Sequence, residues 1–160
     1  MADTSPRTQP GPDNVGDGTD PSGHARRLHD HDRAARSLGI ELTEAALGRA
    51  TARMTVRDDM LNGAGRCHGG VIFTLADTAF QCACNSHGRL TVSSGASIQF
   101  VRAASVGDEL VAVCVERFRS RSGGGYDVTV TRVDARTGEG ASQLVALFRG
   151  QAHELRPAAG

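Results

Sequence analysis

Apolar residues recur at two different periods along this chain, and the change of period divides it into elements. Between two glycine-bearing segments, Val71, Ile72, Leu75, Ala76, Ala79, Phe80 and Ala83 fall at three- and four-residue spacing, with Phe73 nearly opposite. That pattern predicts a helix buried on most sides. Gly69 and Gly70 open it, and "NSHG" closes it with Gly88 where a left-handed C-terminal residue is usual. Downstream the period shortens to two. "LTVSSGASIQFVRA", "DELVAVCVERFRSR", "GYDVTVTRVDA" and "ASQLVALFRGQAHEL" read as four strands, broken at Gly107-Asp108, Gly123–Gly125 and Thr137–Gly140. Upstream, "IELTEAALGRATARMTV" reads as two strands joined near Gly48, followed by the polar loop "RDDMLNGAGR". A first helix is expected from Ser22 or Gly23 to about Leu38, with Gly39 as its terminator. The sum is an α+β fold in which a curved antiparallel sheet of about six strands wraps one long central helix.

Composition narrows this picture. With 160 residues, 39% of them hydrophobic, the chain has enough material for one domain. Residues 1–22 are rich in Pro, Gly, Asp, Ser and Thr with almost no large apolar side chain, so a disordered tail is expected there and a domain over 23–155. Basic and acidic residues balance at 18 each, which argues against a nucleic-acid or anionic-membrane partner. No apolar run approaches the ~18 residues of a membrane span and the N-terminus lacks a signal-peptide pattern, so a cytoplasmic protein is expected. Cys67, Cys82, Cys84 and Cys114 then read as reduced, buried thiols. Their spacing does not suit a metal, and "HARRLHDHD" reads as a solvated amphipathic helix, so neither a metal nor a cofactor is expected.

One residue breaks the apolar pattern of the central helix. Asp77 puts a carboxylate among Leu75, Ala76, Ala79 and Phe80, where it is costly unless hydrogen-bonded or useful through a perturbed ionisation. The surrounding segment "LNGAGRCHGGVIFTLADTAFQCACNSHG" closely resembles the core motif of the PaaI-type acyl-CoA thioesterases of the hotdog fold, and "VALFRGQAHEL" resembles their last strand. The resemblance covers roughly residues 25–154. It implies hydrolysis of a thioester between coenzyme A and an acyl group, often phenylacetyl or a ring-hydroxylated derivative. It also implies dimers with sites at the subunit interface, commonly paired into tetramers, and an active-site Asn at Asn62.

Thioester hydrolysis needs a base or nucleophile at the carbonyl carbon and donors for the oxyanion. Asp77 is the candidate for the first, and the free N–H groups around Gly69 and Gly70 for the second. Eight residues separate Gly69 from Asp77, ~12 Å along a helix axis at 1.5 Å per residue. That is too far for both to serve one carbonyl, so the reacting group is expected between the helix start of one subunit and Asp77 of another. Asn62 is a candidate to hold water or the thioester oxygen, or else an ordinary Asn-Gly turn; His68 is a candidate to brace the loop or to donate toward the thioester. In "VSSGAS" strand alternation puts Ser93 and Ser97 on one face and Ser94 on the other, and Ser94 is the candidate substrate contact. Among arginines suited to the phosphates of coenzyme A, Arg102, Arg119 and Arg121 stand out, with Arg117 beside them. A hotdog acyl-CoA dehydratase or hydratase and a non-catalytic acyl-CoA sensor are the rival readings.

Overall fold

The computed structural model describes residues 21–133 and 142–155. The tail expected to be disordered over residues 1–20, and the turn expected at Thr137–Gly140, lie outside them. Two helices, α1 (Pro21–His31) and α2 (Arg33–Ser37), precede strands β1 (Glu41–Ala46) and β2 (Arg49–Thr55); a short turn of helix over Asp58–Met60 leads to α3 (Gly69–Cys84). Strands β3 (Thr91–Phe100), β4 (Glu109–Ser120), β5 (Gly123–Val133) and β6 (Gln143–Glu154) follow. All six strands form one antiparallel sheet in the order β1-β2-β4-β5-β6-β3. The long helix wrapped by a six-stranded sheet is the architecture that the apolar pattern implies. Among the described residues, no helix is long and apolar enough to cross a membrane.

The inner face of α3 forms the core. Ile72, Leu75, Ala76, Ala79, Phe80 and Ala83 are buried there, against Leu110, Val128, Val130, Val145 and Phe148 of the sheet. Phe80 fixes the helix height: its ring meets Tyr126 edge-on at 5.4 Å and tilts against Phe148 at 5.8 Å. Beyond the helix, Asn85 ties its end to the next strand, donating from Nδ2 to the Thr91 carbonyl (2.8 Å) and accepting from the Thr91 N–H (2.9 Å). Gly88 turns the chain with φ +76°, a conformation that costs a side-chain-bearing residue free energy.

Three expectations are corrected. The first helix is two helices, broken at Asp32, whose carboxylate caps α2 by accepting the Ala35 N–H at 2.9 Å. That helical segment begins at Pro21, inside the stretch assigned to the tail. Gly123–Gly125 is not a loop: it opens β5, paired with β4 and β6. A Cβ at Gly123 would collide with the Ala152 carbonyl and one at Gly125 with the Phe118 ring, so close approach of backbone and ring, not a turn, requires glycine here.

β3 is an edge strand. It pairs with β6 on one side only, and residues 92–97 are exposed. Its start lies beside the second half of α3, and its end, at Phe100, lies over Gly69.

Candidate active site at the central helix

The loop before α3 is built to present the helix start. Asn62 Oδ1 accepts the N–H groups of Ala64 (2.9 Å) and Arg66 (3.2 Å), and the Asn62 N–H donates to the Arg66 carbonyl at 2.8 Å. The Asn-Gly turn and the functional asparagine are thus compatible readings: the oxygen holds the turn, while the Nδ2 hydrogens have no recorded acceptor among the described residues. His68 is the N-cap of α3, its Nδ1 accepting the Gly70 N–H at 2.9 Å, which places the ring proton on Nε2. The Nδ1 of His68 is thus used by the helix cap, which leaves the Nε2–H as the ring's free donor among the described residues.

That cap divides the two glycines. The N–H groups of Val71 and Ile72 both donate to the His68 carbonyl, at 2.9 and 3.2 Å, and that of Gly70 is taken by the His68 ring. Of the first four helix donors only the Gly69 N–H has no partner among the described residues. Of the two glycines expected to donate jointly, only Gly69 keeps an N–H available at the positive end of the helix dipole. The Phe100 ring walls this point, its Cζ 3.0 Å from where a Gly69 Cβ would stand. Phe100 carried no signal in the sequence beyond a strand apolar position.

Asp77 lies two turns further along α3, half-buried, with no hydrogen bond or ion pair among the described residues. It lines a cleft of about 240 Å³ between the second half of α3 and the start of β3, with Phe80, Gln81, Cys84, Leu90, Val92 and Ser93 among its walls. Burial, and then the negative charge of Asp32 at the α1–α2 break, raise its pKa above the ordinary carboxylate value. A carboxylate of raised pKa facing an open cleft is able to accept a proton from water there.

The serine assignment changes. β3 carries a bulge between Ser93 and Gly95: Ser93 pairs with Ala152 and Gly95 with the adjacent Gln151, leaving Ser94 over. The extra residue reverses the alternation, so Ser93 faces the cleft with Asp77 while Ser97, opposite Arg149, faces the outer side of the sheet. Ser93 and Ser97 do not share a face. Ser94 donates to the Gln151 carbonyl at 3.1 Å and is absent from the cleft wall. The serine near Asp77 is Ser93; Gly95 in the strand was the signal for a bulge.

The arginine set is also divided. Arg102 donates to the Leu144 carbonyl at 3.1 Å, whereas Arg119 pairs with Glu154 at 3.3 Å. Leu144 and Glu154 are ten residues apart on β6, ~33 Å at 3.3 Å per residue, so the two arginines do not converge on one phosphate cluster of a single chain. Arg121 is exposed in the turn after β4, and Arg117 pairs with Asp127 at 2.8 Å on the outer face.

Comparison with known proteins places this geometry. A family model described as the thioesterase superfamily matches residues 64–139. The chain is 39% identical over 132 residues to "Acyl-coenzyme A thioesterase PaaI" of Escherichia coli (strain K12), covering 82% of this chain and 89% of that protein. It is 34% identical to a "Putative esterase" of Archaeoglobus fulgidus over 128 residues, 80% of this chain and 79% of the relative. The solved structure of the E. coli PaaI protein from the phenylacetic acid degradation operon superposes with TM-score 0.77 at 38% identity, covering 84% of this chain and 92% of that one. A protein from Thermus thermophilus superposes with TM-score 0.70 at 33% identity, covering 78% of this chain and 98% of that one. In sequence and in hotdog architecture alike, this chain belongs to the thioesterase superfamily, as a PaaI-type member.

Proposed function

We propose that this protein is an acyl-CoA thioesterase that hydrolyses phenylacetyl-CoA or a ring-hydroxylated derivative in the cytoplasm. Asp77 is the general base or nucleophile, and the oxyanion donor is the Gly69 N–H of a facing subunit, assisted by Asn62 Nδ2. In the general-base form, Asp77 takes a proton from water, the water oxygen bonds to the thioester carbon, and the carbonyl oxygen becomes an oxyanion held at the helix start. Collapse of this intermediate breaks the carbon–sulfur bond, releasing the carboxylic acid and the coenzyme A thiol, which takes the proton. The reading needs no metal, no cofactor, no nucleic acid and no membrane.

The observation that carries the reading is a half-buried carboxylate of raised pKa at an open cleft, with no ion pair among the described residues. The ~12 Å between Gly69 and Asp77 supports a shared site. So does the unpaired edge of β3, which offers a second copy a strand to pair with, making dimers that associate in pairs. Replacing Asp77 by Asn tests it: free-thiol release falls at least ~100-fold, the lower range for a positioned acid-base group, with binding of coenzyme A retained. Near-native turnover by Asp77→Asn refutes the assignment. Formation of an enoyl-CoA or hydroxyacyl-CoA in place of free thiol moves the enzyme to the dehydratase class.

A further inference from the structure

The polar groups lining the Asp77 cleft divide into those already used by the fold and those that are not. Asn85 spends its amide on Thr91 and on the Gln81 carbonyl, the Thr91 hydroxyl donates to the Arg89 carbonyl at 3.0 Å, and the Cys84 thiol points to the Gln81 carbonyl at 3.3 Å. Asp77, Ser93 and Gln81 have side chains with no recorded hydrogen bond among the described residues. Asp77 and Ser93 belong to the reacting end. Gln81 does not. It stands one turn further along α3, ~6 Å from Asp77 at 1.5 Å per residue and on the side away from Gly69. Gln81 is half-buried, and Phe80, Leu90 and Val92 line the same cleft.

Size decides which part of the substrate occupies this end. At about 240 Å³ the cleft is smaller than an ordinary drug-sized site, and the Asn85–Thr91 hydrogen bonds tie helix to strand across its far end. Coenzyme A, with its pantetheine arm and nucleotide, is too large for it and leaves through the solvent side. The acyl group fills the cleft. There it meets apolar walls, complementary to hydrocarbon or an aromatic ring, and one uncommitted amide a helical turn from the carboxylate.

Resting on the thioesterase reading above, we infer that Gln81 is a specificity-determining residue: its amide selects acyl groups carrying a hydrogen-bonding oxygen about one helical turn (~6 Å) from the thioester carbon. A hydroxyl on the outer part of an arylacetyl ring has that placement. An acyl group of similar shape without the oxygen leaves the amide unpaired in an apolar cleft, which is the physical source of discrimination. The amide both donates and accepts, so hydroxyl and carbonyl oxygens are read alike.

The test compares phenylacetyl-CoA with its meta- and para-hydroxy derivatives in wild type and in Gln81→Leu, which keeps side-chain bulk and removes the amide. Wild type prefers a hydroxylated substrate by ~10-fold in kcat/KM, the discrimination expected from one hydrogen bond in a half-open site. In Gln81→Leu the preference falls below ~2-fold, the larger loss of kcat/KM falling on the hydroxylated substrates. The same comparison is made by equilibrium binding of ketone analogues in which a methylene replaces the thioester sulfur. That arm does not depend on turnover, so failure of the hydrolase reading, seen as no thiol release from any substrate by wild type, is separated from failure of the Gln81 assignment. An unchanged hydroxyl preference in Gln81→Leu overturns the inference. So does an equal drop of kcat on both substrates with analogue binding unchanged, which would move Gln81 to the attacking water.

Discussion

If the site is shared between subunits, two inactive variants restore each other. Asn62→Asp and Asp77→Asn make the cleaner pair. An aspartate at position 62 keeps the oxygen that accepts the Ala64 and Arg66 N–H groups, so the loop stands, but removes the Nδ2 donor and adds a charge facing the oxyanion. The helix itself requires sharing: Gly69 and Asp77 are eight residues apart on α3, ~12 Å along the axis, against the ~3 Å that a hydrogen bond spans. Helical side chains lean toward the N-terminus, which closes a few ångströms of that gap and not all of it. Asn62 lies with Gly69 at the helix start. A mixed dimer therefore holds one site with both lesions and one with neither. Random exchange of equal amounts makes about half of the dimers mixed, each with one of two sites intact, so thiol release recovers to roughly a quarter of wild type for independent sites. Native mass spectrometry of tagged subunits establishes that exchange has occurred. With exchange complete and activity no higher than either variant alone, the shared site is wrong and Asn62 serves Asp77 of its own chain.

Two further outcomes follow from the site's electrostatics and burial. Asp32→Asn keeps an N-cap of equal quality for α2 but removes a negative charge that, after burial, raises the Asp77 pKa; the acid limb of the pH–rate profile moves to lower pH, and an unmoved limb refutes the coupling. Burial pushes the Cys82 and Cys84 thiols up to about 12 and raises Cys67 and Cys114 as well, so native protein at pH 8 reacts slowly with a disulfide reagent while denatured protein titrates all four; fast native labelling refutes the buried assignment.

What could be read from sequence followed from how local each determinant is. The span of α3 was legible because its apolar stripe, its glycine opening and the αL glycine at position 88 all act within a few residues. The break at Asp32 had a local signal that the apolar count overrode: an aspartate just before "RAARS" is an N-cap sequence. The bulge in β3 is different. It depends on how β6 pairs, and one extra residue reverses every later side chain, so Ser93 and Ser97 changed places relative to each other. The arginines are separated within one chain for the same reason at longer range. Residues 102 and 119 are close in sequence, but sheet order sends them to opposite ends of β6. Asp77, by contrast, was conspicuous because it violated a pattern, and a broken local rule is what marks a residue as a candidate for function.

That violation has a measurable thermodynamic side. Burial favours the neutral carboxyl of Asp77, so its folded pKa lies above the ordinary value of 3.8. Between these two values the folded state holds more protons than the unfolded state, and stability falls as pH rises through the window. Above its folded pKa the group is ionised in both states, and the desolvation cost is borne in full by the fold. Below pH 3.8 it is neutral in both, and the cost is gone. Asp77→Asn is neutral throughout. Its melting temperature exceeds that of wild type at neutral pH, and the difference shrinks as pH falls toward 4. A variant less stable than wild type at neutral pH would show that the carboxylate has a compensating partner in the assembled protein. The charge would then be held by structure. A variant that is more stable and inactive shows the opposite: the fold tolerates a carboxylate in its central helix for what that group does to a thioester.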